Sequence, residues 1–148
     1  MIHWTYKYFK ELNTNELYSI LSLRNAVFVV EQNCVYDDTD EKDLNCWHLC
    51  GWHEKKLVAY ARIIKPGISF SEASIGRVIT HHSFRRKGLG VDLMKIAIQK
   101  TQSEFNTNKI KIGAQSHLIK FYNQLGFFVD SEEYLEDGIP HVEMVKIL

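Results

Sequence analysis

Residues 85–94, RRKGLGVDLM, set three cations against two glycines spaced two apart and then run into an apolar stretch. Glycine permits positive φ and lets another group come close to the main chain, and the residues after Gly90 have the pattern of a helix start. A loop that feeds a helix N-terminus binds anions, because unpaired N–H groups and the positive end of the helix dipole point at one spot. Arg85, Arg86 and Lys87 add net charge to that spot, so the chemistry expected is recognition of a phosphate. R-x-x-G-x-G lacks the G-K-[ST] of a nucleotide P-loop and the first glycine of G-x-G-x-x-G, so neither nucleoside triphosphate hydrolysis nor dinucleotide binding is supported. Metal chemistry is disfavoured as well. Cys46, His48 and Cys50 alternate and would share one face of a strand, yet residues two apart on an extended strand lie about 7 Å from one another. Zinc draws its ligands to about 2.0 to 2.3 Å from one centre, which three in a row on a straight strand cannot easily meet. No metal site is expected.

The elements that must position the loop are legible from periodicity. HWTYKYF (3–9) alternates as a strand does, and Asn13 with Glu16 three later forms a capping box for a helix that should bury Leu17, Ile20 and Leu21. Around FVVEQNCVYDDTDEKDLN the pattern dissolves into an acidic loop. NCWHLCGWH, LVAYARII and ASIGRVIT then read as three strands of an antiparallel meander, joined by the turn-like EKK and by the PGISFSE loop. Leu89, Leu93, Ile96 and Ala97 keep a helical period after the glycine loop. KIKIGA (109–114) is a short strand, SHLIKFYNQLGFF a helix ending at Gly126, and HVEMVKIL (141–148) a final strand. The order βα, βββ, αβ, αβ predicts a mixed α/β sheet with helices packed on it. The phosphate loop then lies at the carboxyl end of strand SIGRVIT, where open α/β sheets bind ligands.

A chain of 148 residues is long enough for one domain with a sizeable core, so residues 1–148 are expected to form a single domain. Lysine plus arginine (18) balances aspartate plus glutamate (18), which leaves no global field for nucleic acid or an anionic membrane and makes any anion recognition local. The first residues lack the apolar region of a signal peptide, and the longest apolar run, Ala26 to Val30, is far short of a bilayer span. A soluble, cytoplasmic protein is expected. Three cysteines without a C-x-x-C fit reduced thiols rather than a disulfide framework.

SIGRVITHHSFRRKGLGVDLM resembles motif A of the GNAT superfamily of N-acetyltransferases, whose pyrophosphate signature Q/R-x-x-G-x-G/A is met by Arg85, Gly88 and Gly90. IKIGAQSHLIKFYNQLGF resembles the later strand and helix of that family, with its F-Y-x-x-x-G-F segment. RNAVFVVEQ, the acidic loop ending in His48, VAYARI, GAQSHL and EDGIPHVEM together resemble the ElaA-like branch, so the likeness spans nearly the whole chain. It implies a mixed, mostly antiparallel central sheet with helices on both faces, and acetyl-CoA lying in a V opened between the SIGRVIT and KIKIGA strands. By that resemblance the main chain of Val78, Ile79 and Thr80 pairs with the pantetheine arm and orients the acetyl carbonyl. Amides of Arg85, Arg86, Lys87, Gly88, Leu89, Gly90 and Val91 hold the pyrophosphate. Such backbone donors are preorganised for a developing oxyanion. Tyr122 in FYNQLGF stands where the family keeps its general acid.

The energetics of amine acetylation say which further groups are needed. A lysine-like amine with a pKa of about 10.4 is mostly protonated at pH 7, and freeing its lone pair costs about 4 to 5 kcal/mol. A leaving thiol with a pKa of about 8.5 needs a proton at a smaller penalty, roughly 2 kcal/mol, and a tyrosine with a pKa near 10 holds that proton ready. No base transfers by motif: the position where some family members carry a glutamate falls on Ser74, which cannot accept a proton at neutral pH. The candidates are Glu31, Asp40, Asp43, Glu72, His48, His117 and His141, with His48 and His141 ahead because an imidazole is neutral enough at pH 7 to accept. Water relaying to one of them is an equal route. The acidic stretch Asp37, Asp38, Asp40, Glu41, Asp43 is either a solvated loop or a rim that attracts a cationic amine. Arg62 and Arg77, on interior-looking strands, call for carboxylate partners from this stretch or from the substrate. The activity implied is acetyl transfer from acetyl-CoA to a primary amine of a small molecule or peptide, by direct attack and without use of the cysteines. The rivals are a non-catalytic module that binds CoA or acyl-CoA, and a nucleotide-binding regulatory domain. The apolar final strand could pair between two copies at a sheet edge, giving a homodimer.

Overall fold

Two short sheets that touch at a single point set the shape of the molecule, which the computed structural model describes over all 148 residues. The first holds β1 (His3–Tyr8), β2 (Trp47–His53), β3 (Lys56–Ile64) and β4 (Ser74–Thr80), each antiparallel to the one before it. The second is built from β5 (Lys109–Gln115), β6 (Phe128–Val129), β7 (Tyr134–Glu136) and β8 (Ile139–Ile147), with β8 paired to all three others. β4 and β5 are parallel neighbours joined only by a bridge between Ala73 and Ile110, where the Lys111 N–H donates to the Ala73 carbonyl at 3.0 Å. Beyond that bridge the two strands part. The meander and the splayed pair are thus both present.

Helices cover both faces. α1 (Thr14–Arg24) opens with the expected box: the Asn13 carboxamide accepts from the Glu16 N–H and the Glu16 carboxylate from the Asn13 N–H, each at 2.8 Å. It packs Ile20 and Leu23 against Cys50, Tyr60 and Ile79. α2 (Leu89–Phe105) packs Leu93, Met94 and Ala97 with Ala59, Ala61 and Ile63. Tyr60 alternates with Ala59 and Ala61 along β3, and successive side chains of a strand point to opposite faces, so the two helices lie on opposite sides of the sheet. Leu93 and Ile63 are fully buried, which at ordinary transfer energies stabilises by about 1.5 to 3 kcal/mol each. No helix is long and apolar enough to cross a membrane.

The structure departs from the sequence expectation in four places. Helix α1 does not end before FVVE but continues as a π-helix, Asn25–Glu31, whose wider turns bring Val27 into the core. The buried face of α1 is Ile20, Leu23 and Arg24, whereas Leu17 and Leu21 stay half-buried; Arg24 can be interior because aspartates meet its guanidinium there. The helix expected over SHLIKFYNQLGFF is shorter: a 3-10 turn precedes α3 (Ile119–Gln124). Gly126 at φ +91° closes that helix, with its N–H on the Asn123 carbonyl at 3.0 Å and the Phe127 N–H on the Tyr122 carbonyl at 3.1 Å. The final strand offers no free edge over most of its length for a second copy, because β5 takes one side while β6 and β7 take the other.

Candidate active site

The glycine loop forms a helix start with nothing covering it. Gly88 sits at φ +80°, a conformation that favours glycine, and Arg86 at φ +62° shares the left-handed region. The first bond of α2 runs from the Asp92 N–H to the Gly88 carbonyl at 3.1 Å, and no side chain caps the helix. The amides of Leu89, Gly90 and Val91 are therefore the orphan donors that every helix leaves at this end. A Cβ on Gly90 would meet Phe121 at 3.5 Å and Thr80 at 3.9 Å, both ordinary contacts, so the protein itself does not demand glycine there. Of the three cations, Arg86 lines the cleft and Lys87 lies over the Phe84 ring at 5.6 Å. Arg85 lines the cleft too but is held by the carboxylate of Glu31, at 2.7 and 2.9 Å, and donates through Nε to the Thr80 carbonyl at 3.2 Å.

Strand β4 is bulged just before the loop. Ile79 stands opposite Tyr60 and Gly76 opposite Arg62, so Arg77 and Val78 share the single partner position of Ala61, and Arg77 adopts φ +50°. A bulge leaves one residue outside the ladder and sharpens the local twist. The main chain of Val78, Ile79 and Thr80 thereby runs along the wall of a cleft of roughly 1250 Å³ between the two half-sheets. That space is larger than a usual single-ligand pocket of about 300 to 1000 Å³.

Tyr122 of α3 lines this cleft near Gly90, packed against Phe121 and Phe127, and is 6% exposed. Burial alone pushes its phenol well above the ordinary tyrosine range, and its hydroxyl makes no hydrogen bond within the protein. The phenol is therefore protonated at neutral pH.

Of the base candidates the structure keeps His141 and His117 at the cleft and removes most others. His48 is a correction: it does not line the cleft and is 1% exposed. Its Nδ1 accepts a hydrogen bond from the Tyr60 hydroxyl at 2.6 Å, and its Nε2–H donates to the Asp43 carbonyl at 3.0 Å. Desolvation holds it below the usual imidazole range, so it is a neutral strut beneath the acidic loop. The same bonds leave neither of its nitrogens free for a metal shared with Cys46 and Cys50, whose thiols burial pushes up to about 11 and about 12. Glu31 is spent on Arg85, whose bonds lower its carboxyl, and Glu72 pairs with Lys109 away from the cleft. Asp40 and Asp43 are tied to arginines.

Those ties resolve the two readings of the acidic stretch. Arg62 donates to Asp40 at 2.7 and 2.9 Å and to Asp43 at 3.0 Å; Arg77 pairs with Asp38 at 2.8 Å; Arg24 binds Asp43 at 2.7 Å and Asp38 at 2.8 Å. Burial raises the Asp40 carboxyl, but its arginine bonds outweigh it and bring it down to about 2. Three aspartates are consumed by three arginines. Asp37, which accepts from Thr39, is left at the cleft wall without a cation.

The hairpin of β7 and β8 supplies what sequence reasoning missed. Asp137 (φ +51°) and Gly138 (φ +78°) form a two-residue turn between Glu136 and Ile139, the left-handed pair that the dipeptide Asp-Gly favours. It places Tyr134 and Glu136 beside His141 at the cleft. That D-G dipeptide was the available signal.

Comparison with known proteins agrees with this geometry. The family model for the acetyltransferase (GNAT) domain matches residues 17–148. The chain is 42% identical over 148 residues to ElaA of Escherichia coli strain K12, covering 99% of this chain and 97% of that one. The crystal structure of E. coli ElaA superposes with a TM-score of 0.92 over 99% of both chains. An acyl-CoA N-acyltransferase from Pseudomonas aeruginosa does so at 38% identity, with a TM-score of 0.93 and 99% coverage of each. An aminoglycoside 6′-N-acetyltransferase complexed with coenzyme A shares the fold at 14% identity, with a TM-score of 0.73 over 97% of this chain and 96% of that one.

Proposed function

From its membership of the GNAT acetyltransferase family, in the ElaA-like branch, we propose that this N-acetyltransferase moves an acetyl group from acetyl-CoA to a primary amine by direct attack. The observation that carries the reading is the uncapped N-terminus of α2 beside the parted β4 and β5. Amides from Arg85 to Val91, with Arg86 alongside, hold the diphosphate of the cofactor. The pantetheine arm lies along the free edge of β4 and takes main-chain bonds from Val78, Ile79 and Thr80, which the bulge turns toward the cleft. A peptide-like donor there also stabilises the oxyanion of the tetrahedral intermediate. The neutral amine attacks the thioester carbon, the C–N bond forms, and as the C–S bond breaks the sulfur takes the proton of the Tyr122 hydroxyl while the nitrogen loses its extra proton, which restores the tyrosine through water. The acceptor is a small molecule or a peptide amine that enters from the side of the β7–β8 hairpin.

Calorimetry with acetyl-CoA and release of free thiol in the presence of varied primary amines test the proposal together. Binding with amine-dependent thiol release is expected. Binding without release across the whole panel indicates a module that only holds the cofactor, and no heat at all refutes the cofactor assignment.

A further inference from the structure

When the ring of His141 is neutral, two hydrogen-bond acceptors face one another at the hairpin with no donor of the protein between them. His141 Nδ1 lies 2.7 Å from the Ile139 carbonyl oxygen. A carbonyl can only accept, so Nδ1 carries the hydrogen and the neutral ring keeps its lone pair on Nε2. The ring is 7% exposed and stacks on Tyr134 at 6.0 Å between centroids, which keeps its plane in place. On the Nε2 side stands a carboxylate oxygen of Glu136, 3.5 Å away, on a side chain that is 58% exposed. A lone pair and a carboxylate at that separation are complementary to a group that brings several N–H bonds and a positive charge.

We propose that His141 Nε2 and Glu136 together receive the acceptor as an ammonium ion, Glu136 binding its charge and His141 taking its proton. This rests on the acetyltransferase reading above and names the substrate class: an amine protonated at neutral pH, in preference to a neutral aromatic amine. One N–H of the ammonium passes its proton to Nε2, which makes an imidazolium held against Glu136. The freed lone pair attacks the thioester carbon, Tyr122 protonates the departing sulfur, and the surplus proton of the new amide nitrogen returns through water to the tyrosinate. The imidazolium then releases its proton to solvent, so each turnover yields one acetamide, one thiol and one proton. Besides Tyr122, Tyr36, Lys42, Arg86 and the ion-paired Glu31, Asp40, Arg62, Arg77 and Arg85, the titratable groups that line this cleft are Tyr134, Asp137, His117, Cys34, Asp37 and Glu143. Glu143 is already paired with Lys111 at 2.9 Å, and the Cys34 thiol donates to the Asp137 carbonyl at 3.5 Å. None of them hydrogen-bonds the imidazole of His141, whose ring nitrogens meet the Ile139 carbonyl and Glu136.

Three measurements test this. Nitrogen NMR of histidine-labelled protein should show the hydrogen of the neutral His141 ring on Nδ1; a neutral ring with its hydrogen on Nε2 overturns the proposal without any acceptor being needed. With butylamine and aniline as probes, His141→Gln should lower kcat/KM for butylamine about 10²-fold or more, the scale of general base catalysis, leave aniline, which has no ammonium proton to give, within a factor of two, and make the butylamine rate climb with the free-amine fraction up to about pH 10. Acetyl-CoA binding should stay intact and serves as the check on folding. Glu136→Gln, at an exposed site, should raise KM for butylamine at least fivefold while leaving the aniline KM within a factor of two. Equal effects of Glu136→Gln on both amines overturn the charge-binding role, and a His141→Gln variant whose butylamine profile matches the wild type overturns the base. Wild-type protein that releases no thiol with any amine sinks the acetyltransferase reading itself, a distinct outcome.

Discussion

At the scale of single residues, the two glycines of the loop do different jobs and are separable by substitution. Gly88 is required by its own backbone: φ of +80° is disfavoured for an L side chain by about 1 to 2 kcal/mol, so Gly88→Ala should lower stability by that amount as well as cofactor affinity. Gly90 has ordinary φ and room for a methyl group, and alanine favours a helix over glycine by about 1 kcal/mol. Gly90→Ala should therefore unfold at the same or a slightly higher urea concentration while acetyl-CoA binding weakens; equal binding by calorimetry means no ligand approaches that atom. Tyr122→Phe should keep the dissociation constant for acetyl-CoA and lower kcat by about 10² or more, measured under saturating amine. The loop was legible in the sequence because everything it needs is local: charge, glycine and helix start lie within ten residues. His141 was only half legible. Its neighbour Glu136 is five residues away across a tight turn, and nothing short of the turn type says that the two side chains meet.

Among the elements, the segment from α1 to β2 is the one periodicity misread, and its energetics explain why. A π-turn has no sequence signature of its own, and the acidic run after it looks like solvated loop until the three arginines that bind it are placed beside it. Arg24 belongs to a helix, Arg62 and Arg77 to two strands, so the network exists only once the fold has formed. Arg24→Met should destabilise by about 3 kcal/mol or more in urea titrations, since it leaves buried carboxylates short of a partner. The same network makes stability pH-dependent. Asp40 and Asp43 both have folded values below the unfolded carboxylate value of about 3.9, so their contribution is present above pH 4 and is lost as pH falls toward 2. His48 is depressed from an unfolded value of about 6.5, so the unfolded state binds the extra proton first and stability begins to decline as pH drops through that region. Thermal unfolding followed from pH 8 to pH 2 should show a shallow decline starting near neutrality and a steeper one below pH 4; a flat profile between pH 7 and pH 5 contradicts the role given to His48.

For the molecule as a whole, alternation and helix period recovered the meander, the long helix and the order of elements, because burial on one face repeats regularly along each. What they could not recover is how the two sheets sit, which depends on a single pairing between Ala73 and Ile110 rather than on any repeated pattern. A ligand seated between half-sheets should be felt globally. At one hundred times its dissociation constant acetyl-CoA should add about 2.7 kcal/mol. For a chain of this size that is about 5 to 10 °C in Tm by differential scanning fluorimetry, with ATP or NAD giving none.

The facing margins of β4 and β5 give the empty protein an unusual dependence on its surroundings. Each presents a row of unsatisfied main-chain groups, the kind of seam that recruits stray polypeptide. On the proposed reading the pantetheine arm would take the place of a missing strand in that gap, and the protein without it would be the form more open to proteolysis.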